Sequence, residues 1–289
     1  MNVHPITKAV QIAPLALLLV AMTVFPTLFS YFLSVHEVRL ASLRTARFVG
    51  LENFAAVLTD SSFYAALGFS LRFAVIATLV QVVLGLLIAL WFNRKSLPGK
   101  GILLSLMIVP IMISPALLGI MFRLMLNEFV GPIAYYLQQI GLPGALLLTP
   151  QYIVTTLTVI DVAQWTPFTF LILYSALQTV PRDLYEAAAV DGASAVQKFI
   201  YITLPFLVPF LFITVFVRGI DSFRTFDMIH VLTGGGPGTL TTTISLYIHK
   251  LAFNAGQFGQ AAAASTVLLV LLSIPLSLVI GRVLRQEGR

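Results

Sequence analysis

The chain contains no cysteine, which excludes disulfides, thiolate nucleophiles and Cys-ligated metals and leaves the redox compartment unread. Charge is nearly as scarce: only 10% of residues are Asp, Glu, Lys or Arg, against about 25% in ordinary soluble domains. That shortage excludes a soluble globular domain, and together with the hydrophobic content it excludes disorder, collagen and most nucleic-acid binders. The four histidines, His4, His36, His230 and His249, are scattered without metal-site spacing, so no metal is expected. No Gly-x-x-x-x-Gly-Lys-[Ser/Thr] phosphate loop is present; Gly234-Gly-Gly-Pro-Gly238 lacks the lysine and reads as a turn or re-entrant loop.

What the 289 residues do have is apolar surface: 58% are hydrophobic and the mean hydropathy is +0.97. A hydrocarbon layer of about 30 Å takes about 20 apolar residues per helix, because lipid cannot satisfy free backbone groups. Six stretches meet that length, at Ile12–Phe32, Leu71–Phe92, Ile102–Leu126, Ile153–Val180, Leu204–Ile220 and Ala261–Leu284. The fold class expected is therefore all-α, a polytopic membrane protein forming a single transmembrane domain over residues 1–289. The fifth stretch is the weakest. It starts beside Pro205 and Pro209 and runs into Arg218, Asp221, Arg224 and Asp227, so it is expected to line a cavity rather than face lipid. Arg72 and Arg123, near span ends, are expected to snorkel to the interface.

The formal charge of +6 reads as topology, not as a nucleic-acid footprint. With a cytoplasmic N-terminus, that side receives Lys8, then Arg94, Lys95 and Lys100, then Arg182 and Lys198, then Arg282, Arg285 and Arg289. The other side receives Arg39, Arg44, Arg47 and Lys250, and residues 127–151 carry no Lys or Arg. Both termini are thus expected in the cytoplasm, with the arginines of the first loop as the exception to the positive-inside rule. The first stretch has no small-residue cleavage site after it and is kept as a span rather than a signal peptide.

Two spans carry polar faces. Asp161, Gln164, Trp165 and Phe168 follow i, i+3, i+4, i+7 and share a helix face. A carboxylate, an amide and two aromatic planes suit a sugar, whose hydroxyls need hydrogen bonds while its C–H faces stack on rings. Arg218, Ser222 and Thr225, at i, i+4, i+7, make a second such face. Asp161 and Arg218 have two compatible readings, a structural ion pair or direct contact with a solute, since a lone charge at membrane depth costs about 2.5–3.5 kcal/mol. A sharper expectation is that Arg218, helped by Arg224, receives an anionic group on the solute.

The longest cytoplasmic connection, about 181–204, begins Pro181-Arg-Asp-Leu-Tyr-Glu-Ala-Ala-Ala-Val-Asp-Gly192. Pro181 ends the fourth span, Asp183 is expected to cap a short helix with Glu186 in its first turn, and Gly192 is expected to stop it. Glu186-Ala187-Ala188, three residues, Gly192, nine residues, Ile202, one residue, Leu204-Pro205 resembles throughout the cytoplasmic-loop motif of ABC importer permeases that work with a binding protein. The chain is similar to the carbohydrate permeases of that group, related to the maltose and glycerol-3-phosphate importers. The likeness covers nearly its whole length, including Leu232-Thr-Gly-Gly-Gly-Pro237 and Phe258-Gly-Gln-Ala-Ala-Ala263.

The resemblance implies a bacterial inner-membrane subunit paired with a second, similar permease, two ATPases that hold ATP and magnesium, and a solute-binding protein. Glu186, Ala187, Ala188, Asp191 and Gly192 would then form the coupling surface, Glu186 meeting a basic residue of the ATPase. It also implies that the faces of Asp161, Gln164, Trp165, Phe168, Arg218, Ser222 and Thr225 line the sugar cavity, approached by Ile111 and Pro115. Asp161 and Arg218 depart from the maltose pattern, where small or amide side chains stand. The alternatives are a permease for glycerol-3-phosphate or a polyamine, a stand-alone secondary carrier or channel, and an intramembrane enzyme using Asp161. The last has no second carboxylate, metal cluster or nucleophile-and-base pair to work with, and no enzymatic activity or cofactor is expected of the chain itself.

Overall fold

A computed structural model describes residues 5–39, 46–94 and 98–287, with side chains from 12 to 273 of these. His4, Arg44, Lys95 and Arg289 lie outside the described residues, and Lys8, Arg282 and Arg285 beyond the described side chains. The chain forms two compact units, residues 1–64 with 247–289, and residues 65–246.

In the first unit, the long helix α1 (Pro5–Ser34) leads into a two-stranded antiparallel pair, β1 (His36–Glu37) and β2 (Arg47–Phe48), then into α2 (Glu52–Thr59). From Ile12 to Ser34 α1 is apolar and almost wholly exposed within the chain, as expected of a helix whose surroundings are lipid or other protein. α1 and α2 both pack on the closing helix α13 (Phe258–Glu287), where the sixth expected span falls. The Asn53 amide donates to the carbonyls of Ser34 (3.0 Å) and His36 (2.9 Å), pinning the end of α1 to α2. Gly259 sits so close to the His36 carbonyl and the Asn53 amide that no Cβ fits there, which is why a glycine stands in the first turn of α13.

The second unit is built on α3 (Ser61–Phe92), whose first residues belong to the first unit, and on α7 (Ile153–Gln178) and α10 (Leu204–Phe223). α3 and α7 approach closely at Gly85, where a Cβ would collide with Thr169 and the Phe170 backbone. The Thr169 hydroxyl reaches the Gln81 carbonyl at 2.8 Å. Small residues and interhelical hydrogen bonds of this kind hold helices together in lipid, where apolar burial alone discriminates little. One apolar cluster joins Phe69, Phe73, Leu157 and Ile229, and a second joins Phe92, Phe170, Leu173 and Leu207.

The third expected span, Ile102–Leu126, is not one helix. It breaks into α4 (Lys100–Met112) and α5 (Pro115–Met125), bent by 90° across Ile113 and Ser114. Pro115 starts α5 at a position that needs no N–H, and the residue before a proline is pushed out of helical geometry: Ser114 has ψ 137°. After α6 (Pro132–Gln139), a 3₁₀ turn at Leu146–Leu148 leads into α7.

The connection between α7 and α10 holds α8 (Arg182–Val190), a one-turn α9 (Ala195–Lys198) and a π-helical turn at Phe199–Thr203 that runs into α10. Beyond α10 follow α11 (Asp227–Thr233), packed on α5, and α12 (Ile244–His249), which straddles the two units.

Candidate functional site

The two polar faces expected on the fourth and fifth spans meet. α7 brings Asp161 and α10 brings Arg218, with Arg218 Nη2 3.5 Å from Asp161 Oδ2 and both side chains 3% exposed or less. The pair is completed by Gln81 of α3, a residue the sequence did not single out. Its Nε2 donates to Asp161 Oδ2 at 2.7 Å, and its Oε1 accepts from Arg218 Nε at 2.9 Å. Arg218 Nη2 also donates to Ser222 Oγ at 2.9 Å, and Nη1 lies 3.8 Å from Asp221. The guanidinium carbon stands 4.5 Å from the centre of the Trp165 ring.

Chemistry explains this closure. Two charges taken out of water are tolerable only when their mutual attraction is backed by hydrogen bonds to the remaining donors and acceptors. An amide is the group for that task, because it offers a donor to the carboxylate and an acceptor to the guanidinium at once. Asp161, Gln164, Arg218 and Ser222 are therefore buried, while Trp165, Phe168, Thr225, Ile111 and Pro115 are partly exposed. Trp165 and Phe168 meet edge to face, with centroids 6.4 Å apart. Gln164 does not join Asp161: its amide donates at 2.8 Å to the Ile113 carbonyl, a group that the bend between α4 and α5 leaves without a helical partner. Arg224 meets Asp221 at 2.8 Å with its side chain 64% exposed, so Arg218 and Arg224 both face the Asp221 carboxylate.

Arg123 is exposed, and its Nη1 donates to the Val231 carbonyl of α11 at 3.3 Å. Arg72 is spent locally, on the Gly68 carbonyl one turn back. The glycine-rich turn after α11 is tied by threonines rather than open to a phosphate. Thr233 and Thr241 share a hydrogen bond of 2.9 Å, and Thr241 reaches the Gly236 carbonyl at 2.7 Å. Among the described residues no group of three or more His, Asp or Glu is arranged to hold a metal.

The second feature is α8. Glu186, Ala187, Asp191 and Gly192 are exposed and Ala188 half-buried, a row of small residues with one carboxylate that a partner can approach closely. Gly192 (φ +74°) ends the helix as expected, with Gly192 N–H reaching the Ala189 carbonyl at 3.2 Å and Ala193 N–H reaching Ala188 at 2.9 Å. The start of α8 differs from expectation. Pro181 occupies the cap position, no side chain caps the helix, and Asp183 lies in its first turn with Glu186 one turn further on. A proline supplies the extended backbone of a cap, which leaves Asp183 as a charge at the positive helix end. Ser194 and Gln197 then form a capping box that restarts the chain toward α10.

The chain is similar to known proteins in both sequence and fold. It is 35% identical to the trehalose/maltose transport system permease protein of Thermococcus litoralis, over 91% of this chain and 88% of that one. It is 35% identical to the sn-glycerol-3-phosphate transport system permease protein of Agrobacterium fabrum, over 79% and 78%. Its fold matches a chain in the crystal structure of a bacterial ABC transporter involved in the import of the acidic polysaccharide alginate, with a TM-score of 0.81 at 20% identity, covering 93% of this chain and 91% of that one. Residues 81–286 match the family described as binding-protein-dependent transport system inner membrane component. That stretch holds the polar node, the bent pair and α8, and the chain belongs to this family of ABC transporter permeases, as a membrane component of transport rather than a catalytic enzyme.

Proposed function

We propose that the whole chain acts as one transmembrane permease domain of an ATP-driven importer for a carbohydrate or carbohydrate derivative, with both termini cytoplasmic. It works beside a second, similar permease. Two ATPases, which hold ATP and magnesium, engage Glu186, Ala187, Ala188, Asp191 and Gly192, and a solute-binding protein delivers from outside. The observation that carries the reading is the exposed helix α8, closed by a left-handed Gly192. A solute carrier acting alone has no use for such a surface.

In this reading the solute meets Trp165, Phe168, Thr225, Ile111 and Pro115, whose side chains are partly exposed. Asp161, Gln164, Arg218 and Ser222 are buried, with Arg218 against the Trp165 ring, so a neutral sugar face stacking on Trp165 and Phe168 is favoured. A second reading, an anionic solute on Arg218, is supported by the contact to Asp221. At 3.8 Å it is the loosest of the guanidinium's partners and the one an oxyanion would displace.

ATP hydrolysis by the reconstituted complex, with its binding protein, is measured against matched neutral and acidic glycosides, glycerol-3-phosphate and a polyamine. Stimulation by neutral glycosides is expected. Stimulation by acidic members alone would favour the second reading, and stimulation only by a polyamine would remove the carbohydrate.

A further inference from the structure

The mechanical attachment of α8 is uneven. Beside it lies a cleft of about 290 Å³ bordered by Asn93, Gln178, Arg182, Tyr185 and Glu186, so the ends of α3 and α7 leave room next to the helix. From the edge of that cleft Tyr185 Oη reaches Thr203 Oγ1 at 2.7 Å. Thr203 is 4% exposed, and its hydroxyl also reaches the Lys198 carbonyl at 3.3 Å. A hydroxyl has one hydrogen to give and a carbonyl can only accept, so Thr203 donates to Lys198 and Tyr185 donates to Thr203. Among the described residues this is the one side-chain hydrogen bond that joins α8 to the turn leading into α10.

The bond ends on an unusual piece of backbone. Residues 199–203 form a π-helical turn, with Leu204 N–H reaching the Phe199 carbonyl five residues back. Pro205 explains the widening, since its ring collides with a carbonyl four residues earlier in a regular α-helix. This turn is the foot of α10, and α10 carries Arg218.

Resting on the functional reading above, we propose that Tyr185 and Thr203 latch the coupling helix to the foot of α10, so that motion imposed on α8 by an ATPase is delivered to the Arg218 node through α10 rather than through α7, which is separated from α8 by only three residues. The cleft beside α3 and α7 gives α8 the freedom to tilt about the latch. Tyr185 is thus a positioning residue, acting through Thr203.

The test uses the complete complex in lipid nanodiscs, with partner permease and ATPases free of cysteine. This chain has no cysteine of its own, so Val217→Cys on the exposed side of α10 accepts a single environment-sensitive maleimide. Its emission is read before and after ATP with vanadate, alongside ATP hydrolysis. In the Val217→Cys background, Tyr185→Phe and Thr203→Val are each expected to cut the ATP-induced emission change about five-fold, the scale of one lost hydrogen bond, while hydrolysis continues. The double variant is expected to match the singles, and Thr203→Ser to retain the full response. A response that survives Tyr185→Phe, a double variant whose losses add, or a background that hydrolyses ATP with no emission change overturns the latch. A complex that lacks ATP hydrolysis altogether overturns the importer reading, and the latch with it.

Discussion

The polar node on α3, α7 and α10 and the exposed helix α8 belong to the same compact unit but treat charge in opposite ways. In the node, Asp161 and Arg218 are buried as a pair and tied by Gln81, Ser222 and Trp165. On α8, Glu186 stands exposed among alanines. A charge at membrane depth must be satisfied by the chain itself because nothing around it can do so. A charge on a surface that meets another subunit is most useful when left for the partner. The difference separates residues that keep the spans together from residues that connect them to an energy source, and substitutions should sort the same way.

The largest effect is expected at the node. Arg218→Ala leaves Asp161 buried beside Gln81 without its counter-charge and should cost about 3–5 kcal/mol, read as a lower thermal midpoint in detergent. Asp161→Asn combined with Arg218→Gln removes both charges and should recover much of the loss, whereas additive losses would show that the two side chains do not act as a pair. Gln81→Leu comes next. It strips both bonds of the amide and should cost about 1–3 kcal/mol, with no recovery on adding Ser222→Ala.

The reach of sequence reasoning follows the same division. Helical periodicity placed Asp161 and Gln164 on one face and Arg218 and Ser222 on another, and the turn chemistry of Gly192 marked the end of α8, because both are local. Gln81 was missed because it is an uncharged residue in an otherwise apolar run, 80 positions from the carboxylate it serves; a lone amide in such a run was the available signal. The bend at Ile113–Ser114 was also missed, although Pro110 and Pro115 bracket it, because hydropathy averages over a break. The latch between Tyr185 and Thr203 and the tie from Arg123 to α11 depend on how helices meet in space, which periodicity does not report.

A smaller effect is expected outside the spans. Burial disfavours ionised Asp60, but the Tyr247 hydroxyl at 2.8 Å and hydrogen bonds from Ser62 outweigh it and hold the carboxyl below its ordinary 3.8. Burial first, then the hydrogen bond and charge of Asp60, push the Tyr247 hydroxyl above its ordinary 10.0. A lowered carboxyl pKa stabilises the fold above the unfolded value and loses that contribution as pH falls through the folded one. A raised phenol contributes below its unfolded value and loses it as pH rises toward the folded one. The pair should therefore be fully effective between about pH 4 and pH 10. The difference in thermal midpoint between pH 7 and pH 3 should shrink in Asp60→Asn, and an unchanged difference would remove the pair from the acid response.

The most direct test concerns the ATPase surface. Glu186→Ala is an exposed change expected to alter stability by no more than about 0.5 kcal/mol. Affinity capture of the tagged chain from its native membranes, followed by an ATP hydrolysis assay, is expected to bring down a second permease and an ATPase with the wild-type chain, and to lose the ATPase with Glu186→Ala at unchanged thermal midpoint. Recovery of an equally active ATPase with Glu186→Ala, or solute transport by the isolated wild-type chain without one, would contradict the assignment of α8 as the surface through which ATP drives this permease.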